Sequence, residues 1–417
     1  MKKLIATLFF VALPFVFWWL SEQLGYEEIS TPIPSASVVH VPGFEEFGKE
    51  AQSVLQNARE EIGLPSMSAA LAHNGRLIWT GVVGWQDLGS NTPATAATRY
   101  RIGSTSKSVT ATLAARLVDQ SILELDKPIE TWFEHPPNAA WKLITPRQLM
   151  SHTAGFPGYQ ENRDYLGVWR TLMLQKEFTD VENALQVFDE APLLSLPGTS
   201  FHYSSFDVNL MSVVMQYAGE RPFLELIDAT VLQPLGLQDT FADRTTGSTT
   251  NLATFYERRD KAVKPWRDVN LSVKWARGGF LSTPTDLVHL GGAWLDPQFI
   301  SNVTRTMFWT PQLLANGDIN PQRYGLGWRS DSTEIEGVAY QRRHHGGVSK
   351  GSMNWFVVYP DERIVVDIAI NARADNFSEF ARQEKRITAL FLKAIAPSPI
   401  LNSTLHDQES SLGVDQD

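Results

Sequence analysis

No cysteine occurs in the 417 residues. The chain therefore has no disulfide, no thiol nucleophile and no cysteine-ligated metal. Positive charge is also in deficit. Lys and Arg number 36 against 46 Asp and Glu, and the net charge of −10 is spread without a basic run. That balance argues against nucleic acid as a partner. No His-Glu-x-x-His pattern is present, and the adjacent His344 and His345 would face opposite ways in a strand. No metal centre and no cofactor are expected. Between residues 44 and 396 there is neither an internal repeat nor a low-complexity tract.

One long apolar run exists, the 17 uncharged residues from Leu4 to Leu20 behind Met1-Lys2-Lys3. No small-x-small cleavage site follows it, and Trp18-Trp19 suit a membrane interface. The expectation is an uncleaved anchor within residues 1–25, placing the rest of the chain on the periplasmic side of an inner membrane. A cleaved signal peptide and a soluble periplasmic protein form the alternative. Residues 26–43, rich in Pro and Ser, read as a linker, residues 44–396 as one large domain, and residues 397–417 as a disordered polar tail. At 43% hydrophobic residues, the domain is long enough to bury a substantial core.

The periodicity predicts α plus β. Phe44 to Ile62 repeats apolar residues at helical spacing. Ser66–Ala72 and Leu77–Val83 flank Asn74-Gly75, the signature of a tight β-hairpin. Near the other end, Asn354–Tyr359 and Ile364–Ile370 read as strands and Phe377–Ile395 as an amphipathic helix, while residues 105–235 are mostly helical. The first and last helices would cover an antiparallel sheet built from both chain ends. The middle would form a helical subdomain, with the site in the groove between them.

Chemistry concentrates in Arg101-Ile-Gly-Ser104-Thr-Ser-Lys107. Ser-x-x-Lys at a helix start puts both side chains on one face, one turn apart. The helix dipole and burial would both lower the Lys pKa and let a neutral amine take the Ser proton. Further on lie Tyr203-Ser-Ser205 and His345-Gly346-Gly347. The order Ser-x-x-Lys, Tyr-x-Asn, Lys/His-x-Gly resembles class C β-lactamases, related esterases and penicillin-binding peptidases. Intervening segments are similar too: Leu149-Met-Ser-His152-Thr-Ala-Gly155, Pro234-Leu-Gly-Leu-Gln-Asp-Thr240, Gly278-Gly-Phe-Leu-Ser-Thr283 and Tyr324-Gly-Leu-Gly-Trp328. The likeness covers roughly residues 44–396 and implies the sheet-and-helix fold just described.

The resemblance implies roles residue by residue. Ser104 is the expected nucleophile, Lys107 and Tyr203 the proton-transfer pair, with a neighbouring ammonium lowering the Tyr pKa. Ser205 stands where the family has Asn, and His345 where it has Lys, so recognition of a β-lactam is weakened at two positions. His345 is expected to donate a hydrogen bond near the leaving group. Gly347 lets substrate lie on the strand edge, and the backbone N–H groups of Ser104 and Val348 are oxyanion-hole candidates. His152 and Gly155 are expected to shape a loop. Gly347-Val-Ser349-Lys-Gly351 mimics a nucleophile elbow, but a strand follows it, where that motif needs a helix.

These readings leave a serine hydrolase acting on a small ester, peptide or β-lactam-like substrate, with a true β-lactamase and a non-catalytic scaffold as alternatives.

Overall fold

The computed structural model describes residues 24–166, 169, 176–244 and 250–395. The Leu4–Leu20 run and the tail from residue 397, which carry the anchor and tail expectations, lie outside the described residues. The inner-membrane placement, and the membrane as a partner, are corrected: among the described residues no helix is long and apolar enough to cross a membrane. The longest, Phe377–Ile395, carries six charged side chains, among them Arg382, Lys385 and Arg386. Hydrocarbon rejects such charges.

Seven strands run β1 Ser35–Val39, β2 Ser66–His73, β3 Arg76–Asp87, β4 Arg329–Ile335, β5 Val338–Ser349, β6 Ser352–Tyr359 and β7 Ile364–Ile370. Their spatial order is β4-β5-β6-β7-β2-β3-β1, with a short eighth strand, Thr92–Pro93, on β3. Every pairing is antiparallel. The β7–β2 ladder, Ile364 opposite His73 through Ile370 opposite Met67, sews the C-terminal strands to the N-terminal ones. The β2–β3 turn holds Asn74 at φ 51° and Gly75 at φ 73°, the two positive angles that a two-residue hairpin of this hand requires. Strands β6 and β7 are buried along their whole length, as expected of strands covered on both faces.

Five helices matter for the site. They are α1 Glu45–Ile62, α2 Ser106–Asp119, α3 Ser205–Ala218, α4 Pro284–Trp294 and α5 Phe377–Ile395. Helices α1 and α5 lay their apolar stripes on one face of the sheet, around Leu55, Trp79, Ile368, Ile387 and Phe391. On the other face α4 packs on the sheet, and α2 and α3 form the heart of the helical subdomain. Trp294 of α4 donates to Thr112 of α2 at 2.9 Å, tying the two layers.

Residues 26–43 are not the free tether expected. Ser35–Val39 pairs with Val83–Trp79 of β3, and Glu27–Glu28 pairs with Val263 and Ala262. Most of β1 is exposed. An edge strand open to solvent needs little apolar alternation, which is why Ser-Ala-Ser-Val-Val reads as a linker.

One offset creates the site. Strand β4 pairs β5 only from Val338 to His344, whereas β6 continues to Ser349. The His345–Ser349 edge of β5 faces the turn that precedes α2 instead of a strand. A Cβ on Gly347 would collide with the Ile102 carbonyl, and one on Gly103, at φ +52°, would lie 2.6 Å from the Val348 nitrogen. Only glycine permits both approaches.

Candidate active site

Ser104 sits in a single 3-10 turn, Gly103–Thr105, that runs into α2. The turn is clamped from outside. Ile102 N–H donates to Phe280 O and Phe280 N–H to the Ser106 hydroxyl, both at 3.2 Å. Thr110 then donates to Ala276 O at 2.7 Å. Lys107, one turn along, is fully buried. Its Nζ lies 3.1 Å from Ser104 Oγ, 3.2 Å from Ser205 Oγ and 2.9 Å from Arg277 O. Burial, helped by the Arg277 and Arg329 charges, lowers the Lys107 pKa to about 7. As an ammonium its three N–H groups match those three acceptors. Neutral, it keeps two donors, and its lone pair is free to accept from Ser104.

Ser205 and Tyr203 arrive on the approach to α3. Ser204 caps that helix, accepting from Phe206 N–H at 3.1 Å and donating to Pro157 O at 2.7 Å. Ser205 is therefore the first helical residue and turns its hydroxyl onto Lys107. Tyr203, just upstream, hydrogen-bonds with the Ser104 and Arg329 side chains, and Lys107 Nζ stands 5.0 Å from its ring centroid. The expected depression of the Tyr203 pKa is corrected. Burial outweighs the pull of Arg329 and Ser104 and raises it, so the resting side chain is a phenol, a proton donor.

His345 and His344 do face opposite ways. His344 takes the α5 side, with Nε2 3.1 Å from Asp331 Oδ2 and its ring 4.8 Å from that of Trp355. His345 takes the site side, fully buried. Its Nδ1 donates to Gly346 O at 2.8 Å, so Nε2 accepts from the Tyr324 hydroxyl at 2.9 Å. Burial drives its pKa well below 6.5. A direct hydrogen bond from His345 to a leaving group is thus corrected: both ring nitrogens are occupied, and the residue holds Tyr324 in place. Gly347 and Val348 lie on the free β5 edge beside the Ser104 turn, as the Gly103 contact requires.

Asp207 and Arg329 escaped the sequence reading, and His152 does more than shape a loop. Beneath Tyr203, His152 Nδ1 and Asp207 Oδ2 share a hydrogen bond of 2.8 Å, both residues fully buried. Burial drives both toward their uncharged forms. The His152 ring lies 4.5 Å from that of Tyr203, and its carbonyl accepts His202 N–H at 2.9 Å, so the loop positions Tyr203 directly. The Arg329 guanidinium lies over the rings of Tyr203 and Tyr324 at 5.1 and 5.2 Å. The one charged side chain within α3 was the available signal for Asp207. Arg329 directly follows the Tyr324–Trp328 motif and had no signal of its own.

An antiparallel sheet from both chain ends, a helical subdomain and a Ser–Lys–Tyr cluster in the groove define the β-lactamase and transpeptidase class of fold. The chain belongs to the Beta-lactamase family, which it matches over residues 51–390. The serine beta-lactamase-like protein LACTB, mitochondrial, of Mus musculus is 23% identical over 80% of this chain and 75% of its own length. Esterase EstB of Burkholderia gladioli is 30% identical over 45% of this chain and 49% of its own. A D-amino acid amidase from Ochrobactrum anthropi superposes with a TM-score of 0.68 at 20% identity, over 84% of this chain and 98% of the amidase.

Proposed function

We propose that the protein is a serine hydrolase that cleaves esters and amides, peptides included, through an acyl-enzyme on Ser104. The observation that carries this reading is the fully buried Lys107 amine, poised near neutrality, 3.1 Å from the hydroxyl of the partly exposed Ser104. An amine that gives up its proton near pH 7 is a competent base.

Ser104 Oγ attacks the carbonyl carbon as Lys107 takes its proton. The Ser104 and Val348 N–H groups receive the oxyanion. Collapse breaks the bond to the leaving oxygen or nitrogen, which takes the Tyr203 proton, and Lys107 returns its proton to Tyr203. A water repeats the sequence and frees the acid. Ser205 holds Lys107 in line.

Esters are the favoured substrates over β-lactams. The neutral, fully engaged His345 offers no charge to a drug carboxylate, and Ser205 lacks the amide that would hold its side-chain carbonyl. Each missing contact weakens recognition by roughly 1–3 kcal/mol. The test combines fluorophosphonate labelling with kcat/KM for p-nitrophenyl butyrate, D-Ala-D-Ala peptides and nitrocefin. Labelling at Ser104 with ester or peptide turnover is expected. Efficient nitrocefin turnover with negligible ester cleavage would make the protein a true β-lactamase, and absence of both labelling and turnover a scaffold.

A further inference from the structure

The free edge of β5 has two ends. Tyr203 and Arg329 stand at the His345 end, where the Tyr203 and His345 rings lie 6.3 Å apart and Arg329 pairs with His344. Tyr203 is the proton donor to the departing group, so the leaving half of a substrate occupies that end. A carbonyl held between Ser104 and Val348 then sends its acyl half the other way. That half runs past the exposed Val348 toward Lys350, in the turn between β5 and β6.

This side is rich in cations. The Trp275–Gly278 turn packs on the turn that holds Ser104, since a Cβ on Gly278 would stand 3.6 Å from Gly103 C. The same point is 3.9 Å from Lys274 Cδ, so the Lys274 stem runs beside that turn. Arg277, Arg101 and Lys350 repel the Lys274 ammonium, and Asp243 attracts it. Burial, followed by those three cations, lowers the Lys274 pKa to about 7.

Most of this charge is uncompensated. Arg101 holds Asp243 at 2.7 Å. Glu257, the acid that attracts Lys350, lies 4.0 Å from Lys264. Lys274 and Lys350 make no ion pair among the described residues, and the Lys350 ammonium lies over the Trp266 ring at 5.6 Å. Arg277 is fully buried. Its guanidinium donates to the Tyr159 hydroxyl at 2.8 Å and to Val273 O at 3.4 Å, and its Nε finds no partner. Taking a cation out of water without a counter-charge is costly, and a bound anion offsets that cost. In a chain of net charge −10 the cluster runs against the overall balance.

We propose that the acyl side of Ser104 is an anion subsite, and that the protein selects substrates whose acyl half ends in a carboxylate. The proposal rests on the hydrolase reading above for the word substrate, and on the cation cluster alone for the ligand chemistry. Lys274 and Lys350 make the direct contacts, and Arg277 sets the field behind them. Val348 and Trp266 take the apolar part of the acyl chain.

Two 4-nitrophenyl esters test it, one of adipic acid and one of adipamic acid. They share a leaving group and an acyl length, and differ only in a carboxylate or an amide at the far end. The native protein is expected to favour the carboxylate ester by roughly tenfold or more in kcat/KM, mostly through KM, the effect of one hydrogen bond between charged groups. The ratio is read within each variant, so a general loss of activity cancels. Lys274→Met and Lys350→Met should each cut it to about threefold or less. Lys274→Arg should retain more of it than Lys274→Met. Equal or reversed preference in the native protein overturns the proposal, as does a preference that both Met variants keep in full. Calorimetric titration of the same two esters into Ser104→Ala separates the two readings. If the native protein cleaves neither ester but the carboxylate ester alone binds, and Lys350→Met weakens it, the hydrolase reading fails and the subsite stands. If both esters bind alike, or neither binds, the subsite fails whatever the turnover.

Discussion

The two faces of the central sheet are built by different rules. Under α1 and α5 the centre of the contact is apolar. Phe391 meets Phe44 and Trp79 at centroid distances of 6.0 and 5.9 Å. The one acid buried there on α5, Glu384, accepts from Tyr359, Thr388 and Trp355. On the opposite face the groups around the candidate nucleophile are polar, buried and in part unpartnered. His152 Nε2, Asp207 Oδ1 and Arg277 Nε all lack a partner, and Lys107 sits where its charge is costly. The first face holds the molecule together, and the second keeps reactive groups under tension. The difference teaches that damage to one should read out as lost stability and damage to the other as lost rate.

The strongest way to break that division is Ser104→Ala. It should abolish turnover and fluorophosphonate labelling while thermal unfolding shifts by only a few degrees, since the hydroxyl supports no packing. Residual hydrolysis of any substrate that the native protein cleaves would remove Ser104 from the mechanism.

Next in size are Lys107→Ala and Tyr203→Phe, each expected to lower kcat by about 10²–10⁴-fold. The double variant should be little worse than either, because groups sharing one proton path lose their effect together. Multiplicative losses in steady-state kinetics would mean two independent roles.

Phe391→Ala probes the other face. Truncating a buried aromatic costs about 3–5 kcal/mol, so chemical denaturation should show a large loss of stability. The kcat of the fraction that remains folded should match the native value. A kcat that falls with stability would show the two faces to be coupled.

The smallest effect is graded. Below about pH 7 Lys107 is protonated and cannot accept the Ser104 proton, so kcat/KM should fall toward tenfold per pH unit and level off above. The same group gives a stability signature of fixed sign. Its folded pKa lies below 10.5, so the unfolded chain binds the extra proton between about pH 7 and 10.5. Stability rises with pH across that window. A rate profile flat through pH 7 would assign the base elsewhere.

Much of the site was legible because its signals are local. Ser104 and Lys107 lie one helical turn apart, and the Ser204 cap delivers Ser205 and Tyr203 within three residues. The choice of His345 over His344 followed from its spacing to Gly351 and Pro360, which fits the family's pattern. The unread part converges through tertiary structure. Arg329 reaches Tyr203 only because β4 ends where it does, and Asp207 meets His152 from 55 residues away. Pattern also misjudged magnitude at Tyr203, where burial beats the neighbouring cations, and at His345, whose second nitrogen is taken by a tyrosine that the motif had offered only as filler. The β1 segment failed for the opposite reason, since a solvent-facing edge strand has almost no pattern to read.

The Gly347 approach has a consequence for how the protein is made. The turn at residues 102–105 and the edge at residues 345–349 are about 240 positions apart in sequence, the separation of the Thr105–His345 bond. Such distant pairings form late and slowly. During synthesis Ser104 and Lys107 emerge early, yet the strand edge beside them follows only after most of the chain has been made. On the hydrolase reading, a chain whose two ends have not met holds Ser104 and Lys107 without the strand edge that supplies Val348.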